Sequence, residues 1–263
     1  MTFELAVSTM NKTREAILAM LEQSHIDSDC IVINQCDIDK YYEFYYKKHK
    51  ITVVCTKEKG LSNSRNAAIR NSQADIIALA DDDLLYYPDY EKIILSAFKN
   101  PSVSVAIFNI DDYSRSFPLQ DISPSRIKLL GFMSMQIAFR RKEIIEKQIF
   151  FNTLFGTGSK KYQSGEENIF LEECRRKKLN IRYFASKILK REERKSSWFI
   201  GYANADYLIC RGAVFYAISP MLAFPMILAF AVIKRKILKP LAFFTTIRYM
   251  IQGAIEYRKI QLG

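Results

Sequence analysis

The sequence predicts an α/β fold, a doubly wound and mainly parallel sheet with a helical appendage at its carboxy-terminal end, from three observations. Short apolar runs alternate with helical patterns through the first hundred residues, an order that right-handed crossovers turn into a parallel sheet. The length, 263 residues, suffices for one large α/β domain and an addition to it. From about Tyr207 the alternation gives way to uncharged and then basic sequence. That change divides the chain into residues 1–206, the α/β domain, and residues 207–263, a helical membrane-associating or packing region.

Phe3 to Ser8 reads as the first strand, followed by a helix over Lys12 to Gln23 with Ile17, Leu18 and Leu21 on one face. Cys30 to Ile33 and Ile51 to Cys55 read as strands, and Ser62 to Asn71 as a helix. Ile76 to Ala80 is continuously apolar, as suits a strand buried on both faces. Pro88 then opens a helix running to about Lys99. Val103 to Phe108 and Ser134 to Phe139 are further strands, separated by the polar segment Asp111 to Ser125. A helix begins near Glu166, and Ile181 to Phe184 is the last expected strand. The aromatic run Tyr41-Tyr42-Glu43-Phe44-Tyr45-Tyr46 reads as a helix-packing face; with neighbouring lysines it also suits base stacking in a nucleic-acid-binding protein.

The strand at Ile76 delivers three adjacent carboxylates, Asp81, Asp82 and Asp83, to the rim where ligands bind an open α/β sheet. Ionised together they repel one another, and a hard divalent cation with phosphate partners compensates such an array. Capping or turn formation would need only one of them. Strand alternation would direct Asp81 and Asp83 to the same side, a reasonable D-x-D chelate.

Composition narrows the partners. With 39 basic and 28 acidic residues the formal charge is +11, which favours nucleic acid, phosphorylated substrates or an acidic membrane face. An acidic triplet in the crevice opposes a polyanion, and no nucleic-acid module is recognisable. Cys30, Cys36, Cys55, Cys174 and Cys210 are odd in number and lack a C-x-x-C pair, which argues against a disulfide framework and a zinc site. With no signal peptide expected from the amino-terminal residues, a reducing cytoplasm fits. His25 and His49 are expected on a solvated surface.

Gly60-Leu61-Ser62, Ser64-Arg65-Asn66, the strand into Asp81-x-Asp83 and Pro88-Asp89-Tyr90 together resemble the family-two glycosyltransferases of GT-A fold. Gly165-Glu166-Glu167-Asn168 is similar to that family's Gly-Glu-Asp element at a helix start, and Ser196-Ser197-Trp198 to a loop of bacterial capsule and O-antigen members. The resemblance spans roughly residues 3 to 200. It implies transfer of a sugar from a nucleoside-diphosphate donor with inversion, assisted by Mn or Mg held by Asp83 and Asp81. It places Thr9, Asn34, Arg65, Asp81 and Asp82 on the nucleotide sugar. Glu167, with Glu166 in reserve, becomes the base on the acceptor hydroxyl.

Other readings stand beside these. Arg65 also suits a surface helix position, and Ser164-x-x-Glu167 also fits a capping box. The second strand ends Ile33-Asn34-Gln35-Cys36 where the family shows an Asp pair reading the base, the first loop reads Ser8-Thr9-Met10-Asn11 where many members have Pro-Thr-Tyr-Asn, and no late histidine follows. A non-catalytic relative that binds a sugar nucleotide and supports a partner enzyme has the same motifs.

Ala213 to Ile233 is 21 residues without charge, near the roughly 20 that span a bilayer, yet Pro220 and Pro225 interrupt it. A bent or in-plane arrangement is expected. Lys234, Arg235, Lys236, Lys239, Arg248, Arg258 and Lys259 against Glu256 give a local +6, a handle for an anionic cytoplasmic leaflet. The acceptor expected is a glycan or polyprenyl-linked oligosaccharide of a surface polysaccharide, at the inner membrane face. Helices covering the catalytic domain or forming a dimer interface would account for the same pattern.

Overall fold

The computed structural model describes residues 1–191, 204–238 and 241–262. Ser196-Ser197-Trp198 and Lys239 lie outside the described residues. Strand β1 (Phe3–Met10) is followed by α1 (Arg14–Gln23), β2 (Cys30–Gln35), β3 (Lys40–Tyr46), β4 (His49–Thr56), α2 (Leu61–Asn71) and β5 (Ile76–Asp81). Then come β6 (Leu85–Tyr86), α3 (Tyr90–Ala97), β7 (Val105–Asp112), the short α4 (Arg126–Leu129), β8 (Ile137–Arg140) and α5 (Arg141–Glu146). Helix α6 (Glu166–Arg176), β9 (Ile181–Arg191), α7 (Ala205–Ile218), α8 (Ala223–Ile233) and α9 (Phe243–Leu262) complete the chain.

The strands form one sheet in the order β3-β4-β2-β1-β5-β8-β7-β9-β6. Its amino-terminal half, β4-β2-β1-β5, is parallel, and β8 enters antiparallel between β5 and β7. Successive side chains of β1 point to opposite faces. Leu5 and Val7 pack with Ile17 and Leu21 of α1 and Ile94 of α3, whereas Ala6 packs with Ile69 of α2 and Phe170 of α6. Both faces are therefore covered, as the apolar run of β5 requires.

The aromatic run is a strand rather than a helix face. Phe44 is buried, while Tyr41, Glu43 and Tyr45 are exposed on the other side of β3. This period of two forms an antiparallel hairpin with β4 across Lys47-Lys48, where Lys47 takes a φ of 54°. The sequence hides the turn because lysines occupy positions that Asn-Gly would normally fill. The helix expected from Pro88 to Lys99 starts only at Tyr90, because its cap Asp89 adopts a left-handed conformation. His25 is exposed as expected. His49 is not solvated: its side chain is 12% exposed, with Nε2 3.0 Å from Asp27 Oδ1.

The uncharged stretch divides into α7 and α8 at Ser219-Pro220. Pro225 falls in the first turn of α8, where a missing N–H costs no helical bond. Among the described residues no helix is long and apolar enough to cross a membrane. Helices α7 and α9 cross at Gly212 and Gly253. A Cβ on either would lie 1.8 Å from a carbonyl oxygen of the opposing helix, so only glycine permits that approach. The carboxyl end of α7 is held by two guanidinium groups. Arg126 donates to Ile218 O at 2.9 Å, and Arg176 donates to the same oxygen at 2.5 Å. Arg126 and Arg176 also pair with the buried Glu172 of α6, which ties α7 to the sheet's helical layer.

Candidate active site

Strands β1 and β2 end in register at Met10 and Gln35, and β5 ends at Asp81 opposite Ser8, so the loops beyond them lie at the carboxyl edge of the sheet, where open α/β sheets bind ligands. The first loop is braced from β2. Asn34 Oδ1 accepts from Lys12 N at 3.0 Å, and Asn34 Nδ2 donates to Lys12 O at 2.8 Å. Gln35 donates to Glu58 O and Gly60 O, holding the entrance to α2. Where the resemblance anticipates a base-reading Asp pair, this chain uses neutral amides to fix its own backbone.

The three aspartates part company at the strand end. Asp81 is the last residue of β5, while Asp82 and Asp83 lie in a turn. Strand alternation therefore does not govern Asp83, contrary to the expectation from spacing. Asp82 accepts from Thr9 Oγ1 at 2.5 Å and lies 3.3 Å from Lys12 Nζ, clasping the first loop. Asp83 is exposed and makes no hydrogen bond or ion pair among the described residues. Burial, with Asp83 nearby and against the pull of Arg65, raises the Asp81 carboxyl above its usual range.

Arg65 organises the centre. It is 2% exposed, so it is not a surface helix residue. Nη1 donates to Glu166 Oε1 at 2.7 Å. Nη2 donates to Ser134 Oγ at 2.7 Å and to Asp81 Oδ1 at 3.4 Å. The guanidinium also lies 5.4 Å from the centroid of Phe151. Burial works against its charge, yet Glu166, Asp81 and Glu167 outweigh it and hold the guanidinium above its ordinary pKa.

Glu166 and Glu167 open α6. The cap is Gly165, at φ 90°, with no side-chain cap bond, so the Ser164 capping box does not form. Gly165 is required twice over: its φ disfavours side chains, and a Cβ there would strike Val214 of α7 at 2.4 Å. Glu166 is 5% exposed and committed to Arg65. Glu167 is half-buried and has no ion pair within 4 Å among the described residues. Burial first, and then the Glu166 charge, push the Glu167 carboxyl up to about 8. A carboxyl at that value is a competent proton acceptor near neutral pH.

The family model described as Glycosyl transferase family 2 matches residues 7–162, which takes in the first loop, α2 and the aspartate triplet. The chain belongs to glycosyl transferase family 2. A search of curated proteins finds no significant match. Among solved structures, S. aureus TarS 1-349 superposes with a TM-score of 0.59 at 12% identity, covering 99% of this chain and 92% of that one. A second TarS 1-349 structure, in complex with UDP-GlcNAc, gives 0.59 at 12% identity over 100% and 91%. The mannosyltransferase PcManGT from Pyrobaculum calidifontis, in complex with GDP-Man and Mn2+, gives 0.55 at 13% over 97% and 86%. At these identities the likeness is one of fold, the GT-A arrangement.

This family-two glycosyltransferase thus brings together Arg65, Asp81 and Glu166 in direct contact, with Glu167 alongside and Thr9 and Asp82 joined at the neighbouring loop. Sequence reasoning missed Ser134, Lys12 and Arg211, the last on α7 with its Nη1 3.5 Å from Asn168 Oδ1 in the first turn of α6. Arg211 carried a readable signal, being the sole charge between Tyr207 and Ile233. A lone cation in an apolar helix implies a buried partner. Asn34, assigned to the nucleotide by resemblance, is engaged with the Lys12 backbone.

Proposed function

We propose that the chain is a metal-dependent inverting glycosyltransferase, moving a sugar from a nucleoside diphosphate to a hydroxyl of a lipid-linked or growing surface polysaccharide. The observation that carries this is the buried Arg65 bridge. It links Asp81, on the side of the crevice where strands end, to Glu166 at the start of α6. Donor-side and acceptor-side carboxylates are thereby set within one rigid unit. The neighbours' UDP-GlcNAc and GDP-Man complexes are the support for a sugar-nucleotide donor.

The residues fit a hard divalent ion. Asp83 offers an exposed carboxylate without protein partners among the described residues, and Asp81 lies beside it. Among the described residues no group of three His, Cys, Asp or Glu could hold a metal alone. That sparse set suits Mn or Mg, which keep waters and take substrate phosphates as ligands. Bound there, the ion would supply Lewis-acid charge neutralisation for the departing diphosphate. Glu167 takes the acceptor proton as the acceptor oxygen bonds to the anomeric carbon. The bond to the diphosphate oxygen breaks on the opposite face, which inverts the centre. Thr9, Asn34 and Asp82 shape the first loop against the nucleotide, and Arg65 holds Asp81 in place. In this reading residues 1–206 carry the chemistry and residues 207–263 form the helical region.

Thermal melting with UDP and GDP, with and without manganese, tests the donor side. One nucleotide is expected to raise the Tm only when manganese is present, and Asp81→Ala/Asp83→Ala is expected to abolish that rise and sugar transfer together. Undiminished transfer by the double variant would remove the metal from the reaction.

The same reading places the enzyme in the cytoplasm at the inner membrane face. Met221, Phe224, Val232, Ile233 and Phe244 are exposed around Lys234, Arg235 and Lys236. Such a surface suits shallow contact with an anionic leaflet. Flotation with anionic phospholipid vesicles is expected to carry the protein. Replacing the three basic residues by Ala should weaken binding by about 3 kcal/mol, roughly a hundredfold. Equal flotation with neutral vesicles would sink the electrostatic part.

A further inference from the structure

A cavity of about 710 Å³ opens where the end of α8 meets the start of α9. Of the residues that line it, Ala231, Leu238 and Thr246 are buried, and Leu241 and Phe243 are half-buried. The volume falls in the range of pockets that enclose a small molecule, and this lining suits an apolar chain. Arg235 and Lys236 also line the cavity, and both are exposed. No acidic residue is among the described residues around it. An apolar slot bordered by cations alone matches an amphiphile with an anionic head. A neutral lipid would leave the cations unused, and a soluble anion would leave the slot unfilled.

Contacts between the helices fix which end of the carboxy-terminal region holds this cavity. Near the start of α7, Cys210 Sγ lies 3.5 Å from Ser164 O, just ahead of α6. At the far ends of both helices Arg176 donates to Ile218 O at 2.5 Å. Helices α6 and α7 therefore run in the same direction. Helices α7 and α9 meet at Gly212 and Gly253, and one turn later along both the Tyr216 and Tyr257 rings pack with centroids 6.3 Å apart. Helix α9 thus follows the same direction. Its first turn, with the cavity beside it, lies at the end of the helical layer where α6 begins and carries Glu167.

We infer that this cavity holds the lipid chain of the acceptor, a single apolar chain ending in a diphosphate, with Arg235 and Lys236 on the diphosphate. The inference rests on the reading of the acceptor as lipid-linked. A chain seated there places its head, and the sugars beyond it, on the side of the molecule that carries Glu167. Val232 and Ile233, exposed at the edge of the cavity, and Phe244 next to Phe243 meet the bilayer from which the chain enters. This differs from adsorption to an anionic leaflet, because the slot takes one lipid and needs no bilayer.

The test uses the full chain without vesicles and with EDTA, so that neither surface attraction nor a metal at the aspartates can hold the probe. In calorimetric titration farnesyl diphosphate is expected to bind roughly a hundredfold tighter than inorganic diphosphate, the effect of burying its chain. Ala231→Phe, which fills the cavity, and Arg235→Ala/Lys236→Ala, which removes two exposed side chains, should each weaken that binding by roughly tenfold or more. If Ala231→Phe does not fold, Val232→Trp obstructs the slot from its exposed edge and reads the same loss. Farnesyl diphosphate binding no tighter than inorganic diphosphate, or binding unchanged by cavity filling or by loss of the two cations, would overturn the inference. Equal affinity for dihexanoyl phosphatidylglycerol would overturn it in favour of a membrane phospholipid. A parent that sediments as a dimer and an Ala231→Phe variant that sediments as a monomer would assign the cavity to a second copy of the chain. Loss of the transferase reading is recognised separately, by neither UDP nor GDP raising the Tm in manganese, whatever farnesyl diphosphate does.

Discussion

Arg65→Met is expected to be the most damaging single change to the folded state. Removing it leaves the Glu166 carboxyl, 5% exposed, and the Asp81 carboxyl facing each other without their shared cation. Breaking a buried pair on one side costs about 3–5 kcal/mol. For a chain of this size that corresponds to a fall in Tm of roughly 10 °C. Arg65→Lys should recover part of the loss, since an ammonium keeps the charge but lacks the fork that reaches Glu166, Ser134 and Asp81 together. The deficit of Arg65→Met should also shrink at pH 5 relative to pH 8. The Asp81 carboxyl is already raised by burial, and protonation relieves an uncompensated charge. Thermal melts of the three proteins at both pH values check this. A variant melting with the parent at pH 8 would show that Arg65 does not hold the two halves of the site together.

The legible part of this protein was the part whose chemistry is written in order along the chain. The apolar run Ile76 to Ala80 before three aspartates fixed both a buried parallel strand and a site at its end, because strand polarity and crevice position are linked. Glu166 and Glu167 could be placed at a helix start from their motif alone. What remained hidden depended on contacts between distant residues. Arg65 and Glu166 are 101 positions apart, and nothing in the local pattern of α2 distinguishes a buried bridging arginine from a solvated one. The Asp82 clasp with Thr9 spans 73 positions. The β3–β4 hairpin failed for a different reason, since its turn uses Lys47-Lys48 and its aromatic residues satisfy both a strand and a helix pattern. Arg211 is hidden for the same reason as Arg65, since its contact in the first turn of α6 lies 43 positions away. In the fold that charge joins α7 to the first turn of α6, its Nη1 3.5 Å from Asn168 Oδ1.

Glu167→Gln is expected to have the largest effect on catalysis. A general base contributes about 10²–10⁴-fold, and the amide cannot accept the acceptor proton, so kcat should fall within that range while donor binding persists. The pH dependence separates this role from a structural one. With the carboxyl at about 8, the ionised form gains population as pH rises, and kcat/KM of the parent should climb through that value and level off above it. The residual activity of Glu167→Gln should lack that limb. Stability should move in the opposite sense. The folded protein keeps a proton on Glu167 between the ordinary 4.5 and about 8, whereas the unfolded chain releases it, so folding loses stability as pH rises through that window. A glutamine is neutral throughout, and Glu167→Gln should therefore melt above the parent at pH 9. Glu166→Gln provides the contrast. It removes the partner of Arg65 and should lower the Tm, while the limb of the rate should persist but move to lower pH, because the Glu166 charge that helps raise Glu167 is gone. If the limb vanished with Glu166→Gln and survived in Glu167→Gln, the two glutamates would exchange roles, and the proton would leave through the residue paired with Arg65.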